Sequence, residues 1–161
     1  MRPSGISGME RIEFISKSPS ETIAIGAHIG TSAVTGDLFL LYGELGAGKT
    51  QLVKGLARGM GVPDWQYVLS PSFTLMNVYE GRIDLCHADL YRIEADAVET
   101  LDIEDFLDKG VVAVEWAERF PPWGDGIKVT LEVVGEEERM IVMEVEDVGR
   151  AKVWRHFRGE S

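Results

Sequence analysis

A glycine-rich segment most strongly constrains what this chain can fold into. Residues Gly43 to Thr50 read GELGAGKT and fit the pattern G-x-x-x-x-G-K-T/S. A short apolar run, Asp37 to Tyr42, leads into the segment, and Lys49 to Met60 has the pattern of a helix that ends before Gly61. A loop of this kind between a strand and a helix turns its backbone N–H groups inward. Together with the positive end of the helix, these groups bind phosphate. The segment therefore predicts a nucleotide-binding α/β domain.

Each residue type in the segment has a chemical reason to be there. Glycine lets the backbone adopt the sharp turns that direct its N–H groups at an anion. Lys49 is expected to neutralise the β- and γ-phosphates, and the hydroxyl of Thr50 to bind magnesium. We therefore expect the whole segment to contact the phosphates of ATP: Gly43, Glu44, Leu45, Gly46, Ala47, Gly48, Lys49 and Thr50.

A site of this class needs an acidic side chain at the end of a neighbouring strand, where it holds magnesium or orients water. Two acids meet this description. Glu115 follows Val111 to Val114, a run typical of a strand buried on both faces, and Asp89 follows Leu85 to Ala88. The pattern alone leaves open which acid is functional, and an ordinary acid at a strand end remains the alternative for each.

The rest of the chain supplies the remaining elements of such a domain. Ser18 to Glu21 has the residues of a helix start, with a capping serine and a proline at the first helical position. Other predicted elements are a hairpin of Thr74–Tyr79 and Arg82–His87, a helix at Asp96–Asp108, and an antiparallel pair of Ile127–Val134 and Arg139–Val145. This order predicts a three-layer α/β domain of the P-loop NTPase type, with a mixed, mainly parallel central sheet and antiparallel C-terminal strands.

Composition narrows the organisation and the function classes. We expect one domain at residues 10–149, a flexible N-terminal extension at 1–9 and a charged C-terminal tail at 150–161. The net charge of −11 argues against non-specific nucleic-acid binding, which needs Lys and Arg to neutralise phosphates. Cys86 is the single cysteine and the apolar runs are too short to span a bilayer, so we expect a cytoplasmic protein without membrane contact.

Four segments in order resemble the TsaE family, the P-loop ATPase component of bacterial tRNA threonylcarbamoyladenosine biosynthesis. They are Gly43 to Thr50, Ser70 to Leu75, His87 to Arg92, and Val114 to Glu118. The resemblance implies an ATP- and magnesium-dependent subunit that acts as a nucleotide switch. It also implies as partners the TsaD catalytic subunit and its TsaB companion, with tRNA bound indirectly through that complex.

The resemblance also implies roles for individual residues. Glu115 would be the magnesium-side acid with Thr50, Asp89 the catalytic or switch acid, and Lys49 would act on the phosphates. Ser70 to Thr74 would form a switch segment near the γ-phosphate, Trp116 would lie beside the site, and the helix start with Thr22 would approach the adenine. The expected further nucleotide contacts are Ser72, Thr74, Trp116 and Thr22. Ser72 stands where the family usually has Thr, and Ala117 where Pro is common.

Other functions are less well supported. A P-loop small-molecule kinase usually carries an Arg-rich lid, whereas Glu94 to Asp108 is acidic and has no arginine. A GTPase would need an N-K-x-D motif, but Asn77 is followed by Val78. His87 is expected to be a packed or hydrogen-bonded strand histidine and not a catalytic base.

Overall fold

The computed structural model describes residues 9–71, 76–91, 102–119 and 125–157. These residues form one seven-stranded sheet in the order β1-β7-β6-β2-β5-β4-β3. The strands are β1 Glu10–Ser16, β2 Leu38–Tyr42, β3 Met76–Tyr79, β4 Asp84–Asp89, β5 Gly110–Glu115, β6 Ile127–Val133 and β7 Arg139–Val145. The helices are α1 Pro19–Thr31, α2 Lys49–Gly59, α3 Ile103–Leu107 and α4 Val148–Arg155.

The sheet is mixed, and its parallel part lies at the centre. β2 pairs in parallel with β5 and β6, and β4 pairs in parallel with β5. The pairs β1–β7, β6–β7 and β3–β4 are antiparallel. The α/β class and the mixed sheet are confirmed. The sheet has a larger proportion of antiparallel strand pairs than the sequence indicates. The reason is that β1, which is not among the predicted elements, forms an antiparallel pair with β7 at one edge.

The three layers follow from the side chains of β2 and β5. Every residue of β5 is buried, and β2 is buried from Leu38 to Leu41, because helices cover both faces of these strands. Phe39 and Leu41 pack in the larger core with residues of α1 and α2. Leu38 and Leu40 lie in the second core, against which α3 packs. Since β2, β5 and β4 are parallel, their carboxyl ends meet at the same edge of the sheet.

Helix α1 begins as the sequence predicts. The Ser18 hydroxyl accepts a hydrogen bond from the Glu21 amide at 3.1 Å, and Pro19 is the first helical residue. The Glu21 carboxylate in turn accepts from the amide of Lys17 at 2.9 Å. One turn into the helix, the buried Thr22 hydroxyl lies 2.7 Å from that of Ser16 on β1. These contacts hold the start of α1 against the edge of the sheet.

The predicted boundary of a charged tail at residue 150 is wrong within the described residues. Helix α4 runs across it, and Trp154 is fully buried in the larger core. The Arg150 guanidinium binds both carboxylate oxygens of Asp37 at 2.7 Å, which joins α4 to the start of β2. The exposed charges of Lys152 and Arg155 gave the segment the composition of a tail, although its other face is apolar.

Two further predicted elements include residues that lie outside the described part of the chain. The helix predicted at Asp96–Asp108 is described only as α3, and its proposed start lies outside the described residues. The hairpin strands are observed as β3 and β4, which continues to Asp89. No helix in the described part of the chain is long and apolar enough to cross a membrane.

Candidate functional site

The glycine-rich loop connects the end of β2 to the first turn of α2. Gly43, Gly46 and Gly48 all have positive φ angles, of 153°, 83° and 102°. At Gly43 a Cβ atom would also lie 2.8 Å from the carbonyl oxygen of Leu131. A side chain at this position would therefore displace the loop from β6. The glycines of the pattern are required by this backbone path, which ends where α2 begins at Lys49.

Lys49 is nearly buried, with 4% of its surface exposed. Its ammonium group donates a hydrogen bond to the carbonyl oxygen of Gly43 and lies 3.4 Å from that of Glu44. The same nitrogen is 3.5 Å from the centre of the Trp116 ring, a cation–π contact. Burial lowers the pKa of Lys49, while the negative charges of nearby acids, Glu115 first among them, partly oppose the decrease.

Thr50, Glu115 and Ser70 form a hydrogen-bonded chain. The Thr50 hydroxyl donates to Glu115 Oε2 at 2.9 Å and lies 2.6 Å from the hydroxyl of Ser70. Because Thr50 gives its only proton to the carboxylate, the Ser70 hydroxyl is the donor in the second bond. The chain links the glycine-rich loop, the end of β5 and the segment that follows α2. It brings together a hydroxyl and a carboxylate that the sequence separates by 65 positions.

Glu115 has a second partner, His87. The ring nitrogen Nε2 lies 2.6 Å from Glu115 Oε2, and both side chains are buried. The other ring nitrogen, Nδ1, is buried and has no hydrogen-bond partner among the described residues. The expectation of a hydrogen-bonded strand histidine is confirmed, and its partner is a candidate site residue.

Asp89 ends β4 beside Glu115, with which it is in register across the β4–β5 pair. Its carboxylate Oδ1 accepts a hydrogen bond from the amide of Tyr91 at 2.9 Å. Burial raises the pKa of Asp89, and this hydrogen bond acts in the opposite direction. Asp89 and Glu115, the two candidate acids of the sequence pattern, therefore lie next to each other on adjacent strands.

A cavity of about 680 Å³ collects most of the predicted residues. This volume lies in the range of small-molecule sites. The predicted residues that line the cavity are Thr22, Leu45, Asp89, Glu115, Trp116 and the stretch from Gly46 to Thr50. Gly43 and Glu44 are not among its lining residues and instead contact Lys49 through their carbonyl oxygens. Ser72, Thr74 and Arg92 lie outside the described residues.

Trp116 lines the cavity next to Lys49, and its backbone has an unusual conformation. Its φ angle is 61°, a conformation that costs free energy in a residue other than glycine and often marks a functional site. Its ring lies 4.8 Å from that of Tyr91, centre to centre. Trp116 therefore directly follows the end of β5, and it lines the cavity together with its neighbour Glu115.

Arg139 is a residue of the cavity that no sequence pattern indicates. Its guanidinium donates to the carbonyl oxygens of Ala47 at 3.1 Å and Gly46 at 3.2 Å, and it lines the cavity together with Glu137. The arginine therefore supports the glycine-rich loop from the β6–β7 turn. No local signal could reveal it, because 92 positions separate Arg139 from Ala47.

The site combines groups suited to a phosphate ester and a divalent cation. The loop amides and Lys49 suit phosphate oxygens, and the Thr50–Glu115 pair supplies two of the oxygen types that magnesium prefers. The described residues contain no group of three or more His, Cys, Asp and Glu side chains that could hold a metal ion. A cation here would therefore need oxygens from a bound phosphate or water, as is usual for magnesium.

Comparisons with known proteins place the chain in a family. The family described as "Threonylcarbamoyl adenosine biosynthesis protein TsaE" matches residues 16–141. A protein of Nostoc sp. called tRNA threonylcarbamoyladenosine biosynthesis protein TsaE is 44% identical over 106 residues, which cover 62% of this chain and 64% of that protein. The Bacillus subtilis protein of the same name is 36% identical over 139 residues, which cover 83% of this chain and 85% of that protein.

A solved structure is also similar. The crystal structure of Bacillus subtilis YdiB superposes with a TM-score of 0.69 at 27% identity, covering 90% of this chain and 92% of that one. The family match begins at the last residue of β1 and ends within β7, so it contains the loop, both acids and His87.

Proposed function

Because this chain belongs to the TsaE family, we propose that it is the ATP-binding and ATP-hydrolysing subunit required for threonylcarbamoyladenosine modification of tRNA next to the anticodon. It acts as a nucleotide switch on a TsaB–TsaD complex in the cytoplasm. One observation carries the ATP part of the proposal. The Thr50 hydroxyl, on the glycine-rich loop, is bonded to the Glu115 carboxylate in the same cavity as Lys49.

The residues present fit ATP with magnesium. The close contact between Gly43 and β6 keeps the loop in a path that only glycine permits, and the backbone amides of such a loop bind phosphate. Lys49 exchanges its carbonyl contacts for phosphate oxygens. Thr50 directs its proton at Glu115 and so leaves an oxygen lone pair available for a cation. Magnesium, when bound, neutralises the charge that develops on the phosphates.

Asp89 is the acid that orients the attacking water. It lines the cavity beside Glu115, and its backbone-bonded carboxylate is held in one orientation. Thr22 and Pro19, at the start of α1, line the cavity, and the adenine binds against them.

The isolated chain is a slow ATPase because no arginine of the described site is committed to the reacting phosphate. Arg139 is engaged with loop carbonyls, and Arg119 donates to the carbonyl of Tyr91 at 2.7 Å. In P-loop enzymes an arginine supplied by a partner can raise the rate by about three to five orders of magnitude. The net charge of −11 suits a basic surface on such a partner.

The test measures ATP affinity, ATP turnover and tRNA modification with and without a TsaB–TsaD pair. We expect the pair to change turnover and to raise ATP affinity, because a partner that prefers the ATP state must increase ATP affinity by the same factor. Repeated cycles of modification should require this chain. If the pair leaves turnover and affinity unchanged and modification continues without the chain, the proposed role is wrong.

A further inference from the structure

His87 occupies a position where the core would ordinarily hold an apolar side chain. It lies in β4 between Cys86 and Ala88, and all three residues are buried. Cys86 and Ala88 pack in the core on the α3 side of the sheet, so His87 faces the opposite side, with α1 and α2. A fully buried imidazole loses its hydration, and this loss must be offset by a hydrogen bond. That bond is made to Glu115.

The strand register explains how the two side chains meet. His87 is paired with Ala113 of β5, and Glu115 is two residues further along, on the same face. The small side chain of Ala113 leaves room for the imidazole to extend along the sheet towards the carboxylate. Since a carboxylate only accepts hydrogen bonds, Nε2 of His87 carries the proton. The β4–β5 register therefore determines both the contact and the tautomer.

The contact restricts how Glu115 enters the cavity. Within the described part of the chain, both hydrogen bonds of its carboxylate end on Oε2, one from His87 and one from Thr50. Thr50 is itself a candidate cation ligand, so its bond to Glu115 lies within the part of the site that nucleotide and metal would enter. His87 lies below the site, is completely buried and does not line the cavity. It is the partner that can keep Glu115 in place throughout.

We propose that His87 is a positioning residue that holds the Glu115 carboxylate in the orientation needed for magnesium. The proposal rests on the proposed function, because it assigns His87 a role in the magnesium site of that ATPase. Hydrogen bonds that orient a metal-binding carboxylate commonly contribute 10- to 100-fold to metal affinity. His87 acts through Glu115 and touches neither nucleotide nor metal.

The first experiment measures ADP affinity calorimetrically, in magnesium and in EDTA, for the wild type, His87→Leu and His87→Gln. Leucine fills the space without a donor, whereas glutamine offers an amide N–H that can reach Glu115. We expect His87→Leu to lose about 10- to 100-fold of the magnesium-dependent affinity and to keep its affinity in EDTA within about twofold. Glutamine should recover a large part of the loss.

The matched control is His28→Leu. His28 is half-buried and bonds the carbonyl oxygen of Trp154 at 2.9 Å through Nε2, away from the cavity. Its replacement removes a comparable bond and should leave the ratio of the two affinities unchanged. If His87→Leu also keeps the wild-type ratio, or if it weakens binding equally in magnesium and EDTA, His87 has only a structural role and the proposal fails. A wild type that binds no nucleotide would instead overturn the proposed ATPase.

A second measurement does not depend on the folding of any His87 variant. In histidine-labelled wild type, the NMR spectrum should show His87 protonated at Nε2, with a strongly downfield proton because the bond to Glu115 is short. Glu115→Gln should shift this signal and leave that of His28 in place. An His87 signal that is insensitive to Glu115→Gln would contradict the proposal.

Discussion

A Cβ atom on Gly26 of α1 would lie only 2.8 Å from the Cα atom of Gly55 in α2. The two helix backbones approach this closely because glycine occupies the contact on both sides. Gly30 and Gly59 repeat the arrangement one turn further along, where added Cβ atoms would meet carbonyl oxygens at 2.4 Å and 2.2 Å. The contact holds the start of α1, with Thr22, at a defined distance from the glycine-rich loop at the start of α2.

Gly55→Ala is therefore expected to destabilise the protein. The new methyl group would lie 2.2 Å from the carbonyl oxygen of Ile23, so the helices must separate. Overpacking of this kind costs about 1 to 3 kcal/mol, which outweighs the gain of up to about 1 kcal/mol from alanine's helix propensity. Urea unfolding would measure the loss. Lys54→Ala on the same helix is the control, and equal stability of both variants would contradict the prediction.

Lys49→Ala should weaken ATP binding more than tenfold, or more than about 1.4 kcal/mol, because it removes a nearly buried positive charge from the proposed phosphate site. Calorimetric titration measures the effect. Lys152→Ala removes the same charge from the exposed face of α4 and should leave ATP affinity unchanged. An unaltered affinity in Lys49→Ala would show that nucleotide binds elsewhere.

The two acids should have different phenotypes. Glu115→Ala should lose the increase in nucleotide affinity that magnesium produces, because its carboxylate is bonded to the Thr50 hydroxyl. Asp89→Ala should retain magnesium-dependent binding and lose turnover. Parallel binding and hydrolysis assays would separate the two effects. If both variants bind and hydrolyse ATP normally, neither carboxylate is part of the site.

Cys86 should resist alkylation in the folded protein at pH 8. Its side chain is 2% exposed, and burial raises the pKa of the thiol from 9.0 to about 11. The reactive thiolate is thus disfavoured, and unfolding in urea should restore normal reactivity. Mass spectrometry after timed labelling checks the prediction, and rapid labelling of the folded protein would contradict it.

The same pKa shift makes stability depend on pH. Because the folded state holds the thiol proton more tightly, the contribution of Cys86 to the free energy of unfolding is complete below pH 9 and is lost as the pH rises towards 11.

Local sequence signals located most elements around the site. The cap formed by Ser18 and Pro19 starts α1, and the apolar run of β5 ends at Glu115, both as the sequence predicts. These predictions succeed because a cap, a turn or a buried strand depends on residues only a few positions apart. The predicted tail boundary at residue 150 is wrong because a local pattern does not show which face of a helix packs against a distant core. The apolar face of α4 becomes visible only when Trp154 meets the core.

A glycine-rich loop between a strand and a helix, with two acids after nearby strands, can be predicted from the amino-acid order alone. The glycines and the flanking periodicity express that arrangement directly. The bonds of Glu115 to Thr50 and His87, and the support of the loop by Arg139, become apparent only once the strands are assembled. These contacts depend on the order and register of β2, β5, β4 and β7. That register results from packing across the whole sheet, so no short stretch of sequence records it.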